Sequence, residues 1–300
     1  MTGHPMELRH LRYFVTVAHE GHMTRAAERL HIAQPPLSQQ IKDLEREIGA
    51  ALFVRHPRGV ALTDAGRAFL ADAEAVLASV ARAADHARRT ARGESGRIAV
   101  GFTTSAPFHP MVARAIREFR TDRPNVSFVL EESSSGELVS GLRSERLDVA
   151  FIRSGLADPA GLAVHALLQE DMMAALPAHH RLARRPRLVL KDLADETFIL
   201  YRRPDGRGLY DVIIAACAQA GFSPQVGQDA PRIVSTLNLV AAGLGITIVP
   251  ASLSRLPLEG VRYRPLVGKP ALKVPLNLAL RADERSAATL GFVDLVRRIP

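Results

Sequence analysis

MTRAAERLHIAQPPLSQQIK, residues 23–42, is the stretch on which the reading of this chain turns. Thr24 is placed to cap a helix, its hydroxyl accepting from an orphan amide of the first turn. Ala26, Ala27 and Leu30 give that helix a small-residue face, and His31-Ile32-Ala33 breaks it. A second helix opens at Pro35, where the missing N–H costs nothing because that donor is unsatisfied in any helix start. Leu37, Ile41, Leu44 and Ile48 then recur at i, i+4, i+7 and i+11, one apolar stripe of helical period. Pro35, Gln39, Lys42 and Arg46 point the opposite way, with Ser38 to one side. Gln39, near the helix start, can pair with an adenine edge. Two helices about a three-residue turn, the second offering a short polar and cationic face, form the helix-turn-helix arrangement. An ordinary helical hairpin with a solvated face fits the same periodicity.

Upstream, Leu8, Leu11, Phe14, Val15 and Ala18 predict a helix packed beneath this pair and ended by Gly21. Downstream, residues 51–55 and 60–62 read as two strands about the turn His56-Pro57-Arg58-Gly59. Arg55 and Arg58 at the tip suit phosphates or a minor groove, or are simply a solvated cationic turn. Thr63-Asp64 caps a long helix reaching about Gly93. Along it Leu70, Ala73, Leu77, Val80, Ala84, Ala87 and Ala91 recur at alternating spacings of three and four. That pattern is a coiled-coil seam calling for a second copy, or a stripe packed on its own domain.

These residues carry a resemblance. LRHLRYFVTVAHEGHMTRAAERLHIAQPPLSQQIKDLEREIGAALFVRHPRGVALTDAG resembles the winged helix-turn-helix of LysR-type transcriptional regulators, through RAAERL, AQPPLSQQI, LEREIGAALFVR and LTDAG. The resemblance implies binding to double-stranded promoter DNA. Thr24, Arg25, Gln34, Pro35, Ser38, Gln39, Lys42, Arg46, Arg55 and Arg58 are its candidate contacts. Gln39 and Ser38 would read bases, and the cations would sit on phosphates. It also implies pairing through the long helix, assembly as a dimer and homotetramer, and possible contact with RNA polymerase.

Composition bounds the rest. A chain of 300 residues with 47% hydrophobic content predicts two or three domains. No apolar run is long enough for a membrane span, and MTGHPMELRH lacks the apolar core of a signal peptide, so a cytoplasmic protein is expected. The single cysteine, Cys217, excludes an internal disulfide, and its aliphatic setting predicts a buried thiol. The net charge of +8 is no argument for DNA. Residues 1–96 hold 13 Lys+Arg against 11 Asp+Glu, whereas residues 97–300 hold 26 against 20.

Arg92-Gly93-Glu94-Ser95-Gly96 is a hinge. Beyond it strands and helices alternate: residues 98–102, 126–130 and 147–152 as strands, then 164–167, 172–176, 198–201, 246–249 and 275–281. Helices are expected between them, at 211–220, 234–242 and 287–298 among others. RIAVGF, LRSERLDVAF, AAGLGITIVP and the closing FVDLV resemble the effector domain of the same family. The expected fold is an N-terminal all-α winged helix-turn-helix plus long linker helix, then a C-terminal α/β effector domain of two subdomains, periplasmic-binding-protein-like (type 2). The expected boundaries are 6–63 for DNA binding, 64–93 for the dimerising linker and 97–300 for the effector domain. Subdomain I takes about 97–164 and 270–300, and subdomain II about 165–269.

Ligands of open α/β sheets sit beyond the carboxyl ends of the strands. Two hydroxyl-rich runs fall there, Thr103-Thr104-Ser105 and Ser133-Ser134-Ser135, each opening a helix. Helix starts offer free N–H groups and partial positive charge, and Arg153 adds a full cation, so a small organic anion would fit. Capping alone is the commoner use of such hydroxyls. GFTTSAPF, EESSSGEL and VAFIRSG look most like regulators of aromatic-compound degradation that sense muconate or benzoate. On that pattern Ser105, Ser135 and Arg153 match the carboxylate contacts, and Tyr201 and Arg202 close the pocket. The loop at Ser135 is more polar than that class implies, which leaves the ligand open.

Two other classes compete. A solute-binding protein explains the last 200 residues but not the first 90. An enzyme would need a site: His179-His180, before a Pro-Arg turn, and Asp171 offer no third ligand at typical metal-site spacing, and the serine runs lack a partnered base and a nucleophile elbow. No catalytic residue, metal or cofactor is expected.

Overall fold

The computed structural model describes residues 6–57, 59–153, 159–201, 208–230, 232–268 and 270–299. The chain divides into two compact units, Met1–Arg88 and Arg89–Pro300.

In the first unit, α1 (Leu8–Glu20), α2 (Met23–Arg29) and α3 (Gln34–Ile48) precede a hairpin of β1 (Phe53–His56) and β2 (Gly59–Leu62), and α4 (Asp64–Ala91) follows. The apolar stripe of α3 is buried: Leu37, Ile41 and Leu44 join Leu11, Phe14, Ala26 and Ala27 in one core. Truncating a side chain such as Leu37 to Ala would cost about 2–5 kcal/mol. Phe14 is the hub, with ring centroids 5.2 Å from Phe53 and 5.0 Å from Phe69. The hairpin is tied to the α1–α2 turn by Val60 N–H donating to the Gly21 carbonyl at 2.9 Å. Beside that bond Gly59, at φ +140°, leaves no room for a Cβ against the same carbonyl.

Two expectations for this unit change. The cap of α2 is His22 and not Thr24: His22 has the extended backbone a cap needs, and its Nδ1 accepts from Thr24 N–H at 3.2 Å. The seam along α4 is also shared out. Leu70, Ala73 and Leu77 pack into the unit's own core, whereas Val80 is 37% exposed and Ala84, Ala87 and Ala91 are exposed too.

The second unit opens with β3 (Ser95–Phe102), α5 (Pro110–Asp122), β4 (Asn125–Glu132), α6 (Ser135–Arg143), β5 (Val149–Ile152) and β6 (Leu162–Pro177). It continues with β7 (Thr197–Tyr201), α7 (Leu209–Gln219), β8 (Gln225–Ala230), α8 (Ile233–Ala241) and β9 (Thr247–Pro250). β10 (Val261–Pro265), β11 (Lys273–Arg281) and α9 (Ala287–Arg298) complete it. The strand order is β10-β6-β11-β5-β3-β4, with β9 also on β6 and a parallel pair β7-β8 beside it. β3 shows why this sheet is covered on both sides. Ile98, Val100 and Phe102 face the core beneath α5 and α9, while Ala99 faces Leu138 and Leu142 of α6.

Residues 164–167 and 172–176, expected as two strands, belong to the single strand β6. Its first part pairs with β11 from Leu162 to Asp171, and its last part with β9 and β10 from Met172 to Pro177. It therefore passes from the subdomain built on β3, β4, β5 and β11 (subdomain I) into the one built on β7 to β10 (subdomain II). The core of subdomain II gathers Phe198, Ile213, Cys217, Leu237 and Ile248.

Candidate functional site

The outer face of α3 carries Pro35, Gln39, Lys42 and Arg46, all exposed, with Gln34 and Ser38 half-buried. Hydrogen bonds along the helix order it. Gln34 Nε2 donates to Ser38 Oγ at 2.7 Å. Asp43 Oδ1 accepts from Gln39 Nε2 at 2.9 Å and from Arg46 Nη1 at 2.8 Å. Asp43, which the sequence reading passed over, thus offsets one cation of the face and steadies the amide beside it. Thr24 and Arg25 are exposed on α2, and Arg25 Nη2 donates to the Glu20 carbonyl at 2.6 Å. Arg55 is exposed on β1. Arg58 lies outside the described residues.

The second candidate lies at one end of the sheet in subdomain I. β3, β4 and β5 run parallel, with Phe102 opposite Glu132 on one side and Phe151 on the other. The residues that follow these strands therefore emerge together: Thr103 to Ser105 after β3, Ser133 to Ser135 after β4, and Arg153 after β5. Thr103, Ser105 and Ser135 are buried, and Thr104 is half-buried. The three serines divide their work. Ser134 caps α6, accepting from Glu137 N–H at 3.3 Å, and Ser133 and Ser134 both donate to the Glu137 carboxylate. Those bonds hold Glu137 below the usual carboxylate range, the Ser133 hydroxyl first among them. Ser135 stands one residue inside the helix, buried at its N-terminal turn, where free amides and partial positive charge gather.

Arg153 differs from the free cation expected. Its Nη1 lies 2.6 Å from Glu170 Oε2, with side chains only 2% and 6% exposed. The contact is a close buried ion pair. Nη2 donates to the Ser105 carbonyl at 3.5 Å. Burial pulls the guanidinium below its ordinary basicity and the Glu170 charge opposes that pull. Glu170 sits on β6 where it leaves subdomain I, and its Oε1 accepts from Ser252 N–H at 2.5 Å, in the turn that follows β9. The chain of contacts Ser105, Arg153, Glu170, Ser252 therefore runs from one subdomain to the other. His109 is a further neighbour that the sequence reading missed. It caps α5 with Nδ1, and burial keeps it below its ordinary basicity, with Arg153 and Arg255 acting the same way against Glu170. Arg202 and the side chain of Tyr201 lie outside the described residues.

Among the described residues no three His, Cys, Asp or Glu side chains gather as a metal site. His180 instead caps a short turn and faces Glu196 at 3.1 Å, and Asp171 pairs with Lys273 at 3.3 Å. Cys217 is buried in α7, and burial pushes its thiol up to about 11. Among the described residues no helix is long and apolar enough to cross a membrane.

Known proteins match both units. The family of bacterial regulatory helix-turn-helix proteins of the lysR type matches residues 8–67, and the LysR substrate binding domain matches residues 91–299. YnfL of Escherichia coli (strain K12), an uncharacterized HTH-type transcriptional regulator, is 40% identical over 96% of this chain and 96% of its own. The HTH-type transcriptional regulator CatR of Pseudomonas putida is 38% identical over 97% of this chain and 98% of its own. The crystal structure of full-length CbnR complexed with its target DNA superposes with a TM-score of 0.86 at 31% identity, over 98% of this chain and 99% of that one. Matched along nearly all of its length in both halves, the chain belongs to the LysR family of transcriptional regulators.

Proposed function

We propose that this regulator binds promoter DNA through α3 and the β1–β2 hairpin, and that a small organic acid held between its two subdomains controls that binding. As a LysR regulator it is not an enzyme. Residues 6–63 read DNA, 64–93 pair two copies, and 97–300 sense the effector. Gln39 and Ser38 face bases, with Gln34 and Pro35 beside them. Lys42, Arg46, Arg55, Arg58, Thr24 and Arg25 hold the backbone. The apolar residues of α4 left exposed after Leu77 support pairing. Two pairs make a tetramer that works in the cytoplasm beside RNA polymerase.

The observation carrying the sensor reading is the buried bridge from Arg153 through Glu170 to Ser252. A carboxylate reaching Arg153 must compete with Glu170, and displacing Glu170 loosens its hold on the second subdomain. Binding thereby becomes a change in how the subdomains sit. Thr103, Thr104, Ser105 and Ser135 supply hydroxyls and helix-start amides for the acid, with Tyr201 and Arg202 closing the far side. The likeness to CatR and CbnR agrees with an aromatic-catabolism sensor. YnfL is at least as similar, so the effector is an acid of this class rather than one named acid.

A thermal-shift series with muconate, benzoate and short aliphatic acids tests the pocket. The double change Arg153→Gln with Glu170→Gln removes both charges together. Stabilisation by every acid tried should vanish in it, and an acid whose effect survives sinks the carboxylate assignment. Fragment selection with the purified protein tests the other half. No preference for any genomic fragment over random duplex at physiological salt would end the DNA-reading role.

A further inference from the structure

The side chain of Arg123 reaches the exit of the linker helix. Arg123 is the residue at which α5 stops. Its Nη1 donates to the Gly93 carbonyl at 3.0 Å. The same guanidinium stands 5.3 Å from the centroid of Phe119, a ring packed edge-on against Phe128 and Phe292 in the core of subdomain I. Gly291 of α9 makes the room, since a Cβ there would come within 2.9 Å of Nη1. Gly93 is equally confined. It takes φ +68°, and a Cβ would meet the backbone of Ala287 and Ala288 at 2.6 Å. The helix end is closed by Gly93 N–H donating to the Thr90 carbonyl and Glu94 N–H to the Arg89 carbonyl, each at 2.9 Å. Ser95 then enters β3 opposite Asn125 of β4. Between Thr90 and Ser95 the chain is thus tied to α4, α5, α9 and the sheet in turn.

We infer that Arg123 is a positioning residue that fixes the end of the linker helix to subdomain I. Subdomain I and that helix end then move as one piece, subdomain II is the part that shifts against them, and bending of the linker falls before Gly93. Only the last step, control of DNA by this piece, rests on the proposed function. The clamp itself does not.

The test uses the full-length chain as wild type, Arg123→Ala, Arg123→Lys and Gly291→Ala, the last crowding the guanidinium without removing it. Hydrogen exchange is read in residues 90–96 and, as a control, in β5. Arg123→Ala should speed exchange in 90–96 by about tenfold or more while β5 keeps its wild-type rate, with partial recovery in Arg123→Lys. The bend of a duplex selected by the wild-type protein, read by energy transfer between its end labels, should change in the same order across the variants. Wild-type exchange in 90–96 overturns the clamp. Fast exchange there with an unchanged bend overturns the coupling. Fast exchange in β5 as well would make Arg123 and Gly291 ordinary core positions and overturn both. No ligand enters either measurement, so a failed effector reading leaves the result standing.

Discussion

Arg153, just past β5, and Glu170 on β6 meet at 2.6 Å although β11 lies between those two strands in the sheet, each side chain almost wholly shut off from water. The Glu170 carboxylate and the Ser105 carbonyl are the groups that hold the guanidinium. Removing one partner of such a pair leaves the other buried and uncompensated, at a cost of about 3–5 kcal/mol. Glu170→Gln should therefore lower the unfolding free energy from urea titration by that order, and excess benzoate should raise the variant's midpoint more than the wild type's. A loss under about 1 kcal/mol, the range of exposed pairs, would mean water reaches the site freely.

His109 gives a pH signature. Its Nδ1 accepts from Met111 N–H at 3.3 Å, so a proton there would break the cap and add charge at a helix start. Burial, with Arg153 and Arg255, holds its basicity below the ordinary 6.5. The unfolded chain thus takes up this proton first as pH falls, and native stability drops below about pH 6.5. His109→Asn keeps a capping oxygen and removes the titration. Between about pH 7.5 and about pH 5.5 the wild type should lose more Tm than this variant, and equal losses would contradict the assignment.

On the DNA face the informative residue is Asp43, which accepts from both Gln39 and Arg46. Asp43→Asn removes a negative charge from a surface that must approach phosphates. Affinity for random duplex should rise, and the slope of log K against log salt should steepen by about 1. Gln39→Ala should instead leave that slope and blur the preferred bases. Identical effects of the two changes would argue against the roles given to them.

How much of this was legible beforehand follows from distance along the chain. The α2–α3 pair and the stripe Leu37, Ile41, Leu44 are written in short-range periodicity, and the sequence reads them nearly as they stand. β8 and β10 escaped because five of six β8 residues are exposed, and β10 shows no strict alternation of buried and exposed residues. The clustering of Ser105, Ser135 and Arg153 follows from parallel strands ending side by side, which strand–helix alternation predicts. Their partners do not. Glu170 binds Ser252, 82 residues away, and Arg123 binds Gly93, 30 residues back, pairings that only the folded chain creates.

Cys217 separates this chain from sensors that work through a thiol. With its thiol pushed up to about 11 against an ordinary 9.0, the thiolate near pH 8 is about a hundredfold scarcer than in an ordinary cysteine. Iodoacetamide should label the native protein at least that much more slowly than the urea-unfolded one. Fast native labelling would place Cys217 at the surface.

Strand β6 serves both subdomains with one unbroken backbone, Leu162–Pro177. Anyone wishing to retool the sensor inherits that fact. Half a pocket cannot be transplanted without severing a ladder shared by both halves, so a chimera has to exchange everything from Ser95 to Ile299 as one cassette. Point changes at the hydroxyl loops are the milder route to a new inducer.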